Sequence, residues 1–147
     1  MTGYGIHAAR SSDLDDIVRL YSLSADEMED KFQQPRQAGH IEKMLDAMED
    51  THQICLVATY LAEKIGYLFW SDLGQTRGTA LGLGTFVLRD HRKKGIGNDL
   101  TEEAIIRARA KGWRSVTGVV SVGNDAGMAR CKKAGFREVG IVVSLAF

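Results

Sequence analysis

The stretch from Thr79 to Lys111 constrains this chain most. An apolar, β-rich run ends at Leu88, a basic turn follows, and a helical pattern opens just past Gly95-Ile96-Gly97. A strand feeding a helix through so short a turn predicts α/β packing. Four of the six residues from Arg89 to Lys94 carry a fixed positive charge. Glycines at 95 and 97 let backbone amides crowd together without Cβ obstruction. A helix start already favours anions through its unpaired N–H donors and its dipole. The junction therefore reads as a seat for phosphate groups, made of main chain and flanked by cations.

Two other phosphate loops are excluded by residue identity. A P-loop needs Lys directly after its last Gly, whereas Asn98 follows Gly97. A dinucleotide fingerprint needs another Gly or Ala where this chain has Leu100, and no later acid is placed for a ribose. Nucleic acid fits poorly too. The basic cluster lacks interleaved aromatics, and the whole chain has a formal net charge of zero.

The remaining pattern lays out one α/β domain over 1–147 with a mixed sheet. Tyr4–Arg10 reads as a first strand. Ser12 is a candidate N-cap for a helix to about Ser24, with Leu14, Ile17, Val18, Leu20 and Tyr21 on its apolar side. A polar stretch through Asp30 and Pro35 precedes a second helix over 37–49. Gln53–Tyr60 and Ile65–Ser71 form a hairpin. Thr79–Leu88 is the central strand, where Gly82 and Gly84 suggest a bulge, a close backbone approach or local flexibility. Asn98–Lys111 is a helix with Leu100, Ala104 and Ala108 on one face and Gly112 as its stop. A strand over 115–121, a helix over 125–134 and a last strand over 136–145 complete the order.

Composition narrows the setting. The first residues show no basic-then-apolar leader, and the longest mostly apolar run, Ile54 to Ala62, is too short to span a bilayer. Two cysteines cannot make a disulfide framework or a cysteine-rich metal site, so a reducing cytoplasm is the expected compartment and no metal is expected. Charge is divided along the chain. Residues 1–50 hold 11 acidic against 5 basic side chains, a net of −6, and residues 51–147 carry a net of +6. The acidic part either decorates helix starts or faces something cationic.

Arg92-Lys93-Lys94-Gly95-Ile96-Gly97 fits the pattern Q/R-x-x-G-x-G/A, and Asn124 followed by Lys133-Ala134-Gly135-Phe136 is similar to N-x-x-A-x-x-L-Y-x-K-x-G-F. Together, in this order, the two segments resemble the GNAT superfamily of acyl-CoA-dependent N-acyltransferases. The resemblance implies a GNAT-like fold: a mixed, mostly antiparallel sheet flanked by helices, with splayed central strands. The family usually closes with two strands after the Gly-Phe pair, so this chain is expected to be one strand short at its C-terminus, and a homodimer is one way to cover the edge. It also implies acetyl-CoA as co-substrate. Backbone amides from Lys93 through Asn98 would hold its pyrophosphate, with Arg92, Lys93 and Lys94 adding charge. Phe86, Val87 and Leu88 would pair with its pantetheine arm, the Val87 N–H would serve as oxyanion donor, and Asn124 would hydrogen-bond the arm or an ordered water. Asn124 also reads as a plain helix N-cap.

The chain departs from the family pattern where acid and base are concerned. Cys131 stands where many relatives have a Tyr acid, so it is the tentative acid. Flanking Arg130 and Lys132 keep a nucleophile open, as does simple packing. Arg130 replaces the usual Leu and Gly127 the usual Ala. No carboxylate lies on 79–88 to act as base, which leaves Asp72 first, then His52 or a water chain. The acceptor pocket of this family draws on the first helices and middle strands, making Tyr21, Phe32 and Trp70 candidates, with Met28 and Phe69 beside them. Such aromatics can equally be core. The expected reaction moves an acetyl group from acetyl-CoA to a small primary amine by direct attack in a ternary complex. A non-catalytic acetyl-CoA sensor and a protein lysine or N-terminal acetyltransferase are the alternatives. Neither nucleic acid nor membrane is an expected partner.

Overall fold

The computed structural model describes residues 3–32, 52–72, 79–145 and 147. Among them five strands form one sheet in chain order: β1 (Tyr4–Ala8), β2 (Gln53–Tyr60), β3 (Glu63–Ser71), β4 (Thr79–Val87) and β5 (Ser115–Gly118). β1 to β4 are antiparallel neighbours, and β5 runs parallel to β4. Helices α1 (Leu14–Phe32), α2 (Ile96–Ala110) and α3 (Asp125–Ala134) flank the sheet. This is the mixed α/β architecture expected. The helix read over 37–49 lies outside the described residues.

Strand alternation divides the core into two. Ile54, Leu56, Ile65, Leu68, Trp70 and Val87 turn to one face, where they pack with Ile96, Leu100, Ala104 and Ala108 of α2. Cys55, Val57, Tyr67, Phe69 and Phe86 turn to the other, against Ile17 and Leu20 of α1. Two central strands buried on both faces read as continuous apolar runs, which is why 54–58 and 65–70 carry almost no polar side chain.

Local chemistry explains three differences from the sequence reading. First, α1 runs to Phe32 rather than stopping near Ser24, so Asp26, Glu27, Glu29 and Asp30 are helical. Ser12 does not cap it but lies inside a short 3-10 turn, Ser11–Asp13, that precedes the helix, and there Asp13 Oδ2 accepts from the Arg10 N–H at 2.9 Å. Second, the β2–β3 turn is only Leu61-Ala62, both left-handed at φ +46° and +71°. That shape normally selects Asn-Gly. Third, the strand read over 136–145 does not form, and no strand follows Gly118 among the described residues. A strand exists only through its neighbour's hydrogen bonds, and this segment finds no pairing strand among the described residues.

The sheet opens beside β4. β4 and β5 pair from Thr79↔Ser115 to Gly82↔Gly118, and no further. Across the other edge, Phe69 faces Gly84 while Trp70 faces Gly82, leaving Leu83 as an extra, bulged residue. A bulge bends its strand and increases local twist. From Leu83 to Val87, β4 therefore leaves β5, and a wedge opens between them.

Candidate functional site

The mouth of the wedge is the β4–α2 junction. Leu88 leads into a tight turn over Arg89–His91, Arg92 is extended, and Lys93 is left-handed at φ +61°. Gly95, also left-handed at φ +84°, caps α2. The first helical bond runs from the Asp99 N–H to the Gly95 carbonyl at 2.9 Å. The amides of Gly95, Ile96, Gly97 and Asn98 thus form the unpaired first turn of α2. Lys93, Lys94 and Gly95 are exposed, while the Ile96 side chain is buried and fixes the helix start in the core. A left-handed Lys costs on the order of 1 kcal/mol, which the surrounding contacts must offset.

Three ties hold this loop. Arg92 turns inward: its Nε donates to the Val87 carbonyl at 2.7 Å, and its two terminal nitrogens donate to Glu27 of α1 at 2.8 and 2.7 Å. Its guanidinium also lies 5.3 Å from the Phe86 ring centre. On the outer side His91 Nδ1 is 3.0 Å from the Tyr4 hydroxyl, and Lys94 Nζ donates to that hydroxyl at 3.3 Å. Tyr60 packs on both the Tyr4 and His91 rings. The third tie comes from α3, where the Arg130 stem crosses Gly97. A Cβ there would sit 3.3 Å from Arg130 Cδ. Arg130 thereby places a cation beside the free amides, a contribution visible in the sequence only as a departure from pattern.

Hydrogen-bond parity sets the direction of the β4 amides. The Leu88 N–H donates to the Ile65 carbonyl at 2.8 Å, so Leu88 and Phe86 face β3. Val87 alternates with them, and its N–H and C=O face the wedge. The carbonyl is taken by Arg92. That leaves the Val87 N–H as the inward donor at this level.

The other expected residues are spread around this centre. Asn124 caps α3, its Oδ1 accepting from the Gly127 N–H at 3.0 Å. Glycine at 127 follows from that cap, since a Cβ would stand 2.7 Å from Asn124 Nδ2. Cys131 is half-buried on α3, with its carbonyl accepting from the Phe136 N–H. Tyr21 and Phe32 are half-buried on α1, and Phe69 is buried beneath that helix. Trp70 lies on the opposite face, packed edge-on against Phe136. Asp72 follows Ser71, the partner of Leu81, whereas Val87 pairs with Gly66. Six residues of strand put Asp72 about 20 Å along the sheet from Val87. There its carboxylate lies 3.0 Å from His52 Nδ1.

A cavity of about 410 Å³ lies between α1 and the end of β4, lined by Phe86 and Leu88, by the acids Asp26, Glu27 and Asp30, and by the cations Lys31, Arg89 and Arg92. The Arg92 guanidinium holds the Glu27 carboxyl below its ordinary range, against the opposing effect of burial, and Lys31 helps. Glu27 was not a sequence candidate, because its partner is 65 residues away. Cys55 shows the contrasting case: burial pushes its thiol up to about 12, leaving it an inert part of the core. Among the described residues no group of three or more His, Cys, Asp or Glu is placed to hold a metal ion, and no helix is long and apolar enough to cross a membrane.

Residues 17–136 match the acetyltransferase (GNAT) family model. The chain belongs to that family. It is an acetyl-CoA-dependent N-acetyltransferase by membership. Solved structures agree in fold. An aminoglycoside 6'-N-acetyltransferase, AAC(6')-Iy in complex with a bisubstrate analogue, is 17% identical, with a TM-score of 0.75 over 98% of this chain and 97% of its own. AAC(6')-Ih from Acinetobacter baumannii is 24% identical, with a TM-score of 0.72 over 99% and 98%. The yncA protein of Salmonella typhimurium, solved with its cofactor acetyl-CoA, is 19% identical, with a TM-score of 0.79 over 95% and 82%. No curated protein matches the chain.

Proposed function

We propose that this single domain, spanning 1–147, transfers an acetyl group from acetyl-CoA to a primary amine of a small polycationic acceptor. It works as a homodimer in the cytoplasm, where acetyl-CoA is available. One observation carries the reading: four unpaired amides at the start of α2 open directly beside the unpaired edge of β4.

That arrangement suits a CoA thioester. Gly95 through Asn98 would hold its diphosphate by N–H donation, with Lys93, Lys94 and Arg130 supplying positive charge. The bound group supplies an activated acetyl carbonyl. The inward Val87 N–H is the donor able to stabilise negative charge on that oxygen, and the wedge excludes water around it. Arg92 acts by position, fixing the Val87 carbonyl and joining the loop to α1.

Two carboxylates of the α1 cavity support a cationic acceptor, although Lys31, Arg89 and Arg92 balance the charge of its three acids. Asp26 and Asp30 line it next to Phe86, on the face opposite α2. An aminoglycoside acceptor is consistent with the similar enzymes: the structure of one aminoglycoside acetyltransferase is a complex with sisomicin. Glu27 is committed to Arg92 and Asp72 lies about 20 Å along the sheet, so proximity and the backbone donor supply most of the rate.

Thiol release with acetyl-CoA tests the reading, using sisomicin, a simple monoamine and a lysine-containing peptide as acceptors. Turnover with the polyamine is the expected result, and Asp26→Asn with Asp30→Asn should raise its KM several-fold while leaving the KM for acetyl-CoA unchanged. Turnover with the peptide alone would redirect the enzyme to protein acceptors. Thermal stabilisation by acetyl-CoA with no thiol released from any amine would make it a sensor.

A further inference from the structure

Four cations meet at the start of α2: Arg92, Lys93 and Lys94 from the loop before it, and Arg130 from α3. Two of the loop cations are committed elsewhere. Arg92 is bound to Glu27 and the Val87 carbonyl. Lys94 donates to the Tyr4 hydroxyl, with its ammonium 5.9 Å from the centre of that ring. Lys93 is exposed on a left-handed residue. Arg130 differs from all three, because it reaches the free amides from a second helix.

It lies where the backbone of α2 is bare. A Cβ on Gly97 would stand 3.3 Å from Arg130 Cδ and 3.6 Å from its Nη1, so glycine leaves the room that the arginine fills. The guanidinium has no hydrogen bond or ion pair among the described residues. Its own helix offers no counter-charge, since the residues three and four positions away are Ala126, Gly127, Lys133 and Ala134. The Gly97 carbonyl already accepts from the Thr101 hydroxyl at 3.0 Å. A half-buried cation thus rests against the positive end of a helix dipole without an acid to balance it. The two repel, and an anion between them would make both contacts favourable.

We propose that Arg130 closes on the diphosphate of acetyl-CoA, and that through it the diphosphate docks α3 against α2. The inference rests on the acetyl-CoA reading above and adds to it a residue and a consequence. Amides of one helix and the guanidinium of another would hold the same group from two sides. α3 is lightly packed without that bridge: among its ten residues only Gly127 is buried. An element with so little buried surface opens easily, and a ligand that ties it down shifts it strongly. Asn124 caps this helix and Cys131 lies on it. A donor carrying the diphosphate therefore sets both residues in place, and a donor lacking it does not. Arg130 becomes a specificity-determining residue, favouring CoA thioesters over plain pantetheine thioesters.

Hydrogen exchange and calorimetry on the intact chain test this, with coenzyme A and pantetheine as probes. Coenzyme A should slow exchange both in 96–99 and in 125–134, whereas pantetheine should leave 125–134 unprotected. This comparison needs no variant. Arg130→Leu keeps an apolar stem over Gly97 and removes the charge. It should weaken coenzyme A binding about tenfold and flatten its salt dependence. Protection of 125–134 should vanish in that variant while protection of 96–99 persists. Arg130→Lys restores the charge without the planar fork and should recover part of the affinity. Full coenzyme A affinity in Arg130→Leu would overturn the clamp, and so would protection of α3 by pantetheine; either result leaves the acetyl-CoA reading standing. Coenzyme A that protects neither helix of the wild-type chain would overturn both.

Discussion

The two faces of the sheet are held in different ways. Beneath α2 the contacts are almost wholly apolar, and Leu100 and Ala104 are completely buried. Beneath α1 a smaller apolar cluster is closed by charge. Asp13 meets His7 at 3.0 Å and Lys64 at 3.8 Å, while Glu27 holds Arg92. The first face anchors the start of α2 and with it the free amides, a task that rewards rigidity. The second borders the cavity lined by both acids and bases, where contacts between charged groups can rearrange. Rigidity and adaptability are thus assigned to opposite sides of one sheet.

Truncating the apolar face gives the largest expected effect. Leu100→Ala should lower unfolding free energy by about 2–5 kcal/mol, because a fully buried side chain leaves both a transfer loss and a cavity. Denaturant melts measure it. Acetyl-CoA affinity should fall with it, since Ile96 and Leu100 seat the same helix. A loss under about 1 kcal/mol would show that this face is not the rigid one.

Breaking the charged face should cost less. Arg92→Ala leaves a half-buried Glu27 without its bidentate partner and the Val87 carbonyl without its donor. About 1–3 kcal/mol is expected. A double-mutant cycle with Glu27→Gln should show coupling, whereas pairing Arg92→Ala with Leu100→Ala should be closer to additive. Equal costs for Arg92→Ala and Leu100→Ala would erase the contrast between the faces.

What the sequence could reveal follows the same division. α2 was legible because Leu100, Ala104 and Ala108 repeat at helical spacing, and its start was legible because a left-handed cap selects glycine, here Gly95. The reach of α1 was not. Its last three turns carry Asp26, Glu27, Glu29 and Asp30, which resemble a solvated loop until Glu27 is seen bonding Lys31 at 3.2 Å one turn on. Arg92 showed its charge but not its direction, because Glu27 is distant in sequence and adjacent only in the fold. Leu61-Ala62 hid a two-residue turn that flanking strands impose against residue preference. The segment 136–145 has strand composition, yet composition cannot supply the neighbouring strand it needs.

Acid sensitivity should separate the faces as well. Asp13 is pushed up by burial, but the Arg10 N–H, His7 and Lys64 outweigh this and hold it below its ordinary 3.8. Glu27 is held below its ordinary 4.5 by Arg92. Both carboxyls are depressed in the folded chain, so their stabilisation is whole above those values and is lost as pH falls through the folded ones. Hydrogen exchange on lowering pH from 5 to 3 should therefore rise in α1 before α2, after correction for intrinsic rates. Loss of protection in α2 first would reverse the assignment.

Asn124→Ala is the smallest of these effects and the most discriminating for the site. Removing its cap on the Gly127 N–H should cost about 1 kcal/mol. Asn124→Asp retains an acceptor for that N–H and should recover most of the stability. If the side chain serves only the cap, acetyl-CoA affinity will follow stability through both variants. If its amide also donates to the bound thioester arm, Asn124→Asp will fold well and bind acetyl-CoA weakly, and calorimetry at matched temperature distinguishes the two. The second outcome would place Asn124 on the rigid side with the free amides, serving both helix and ligand.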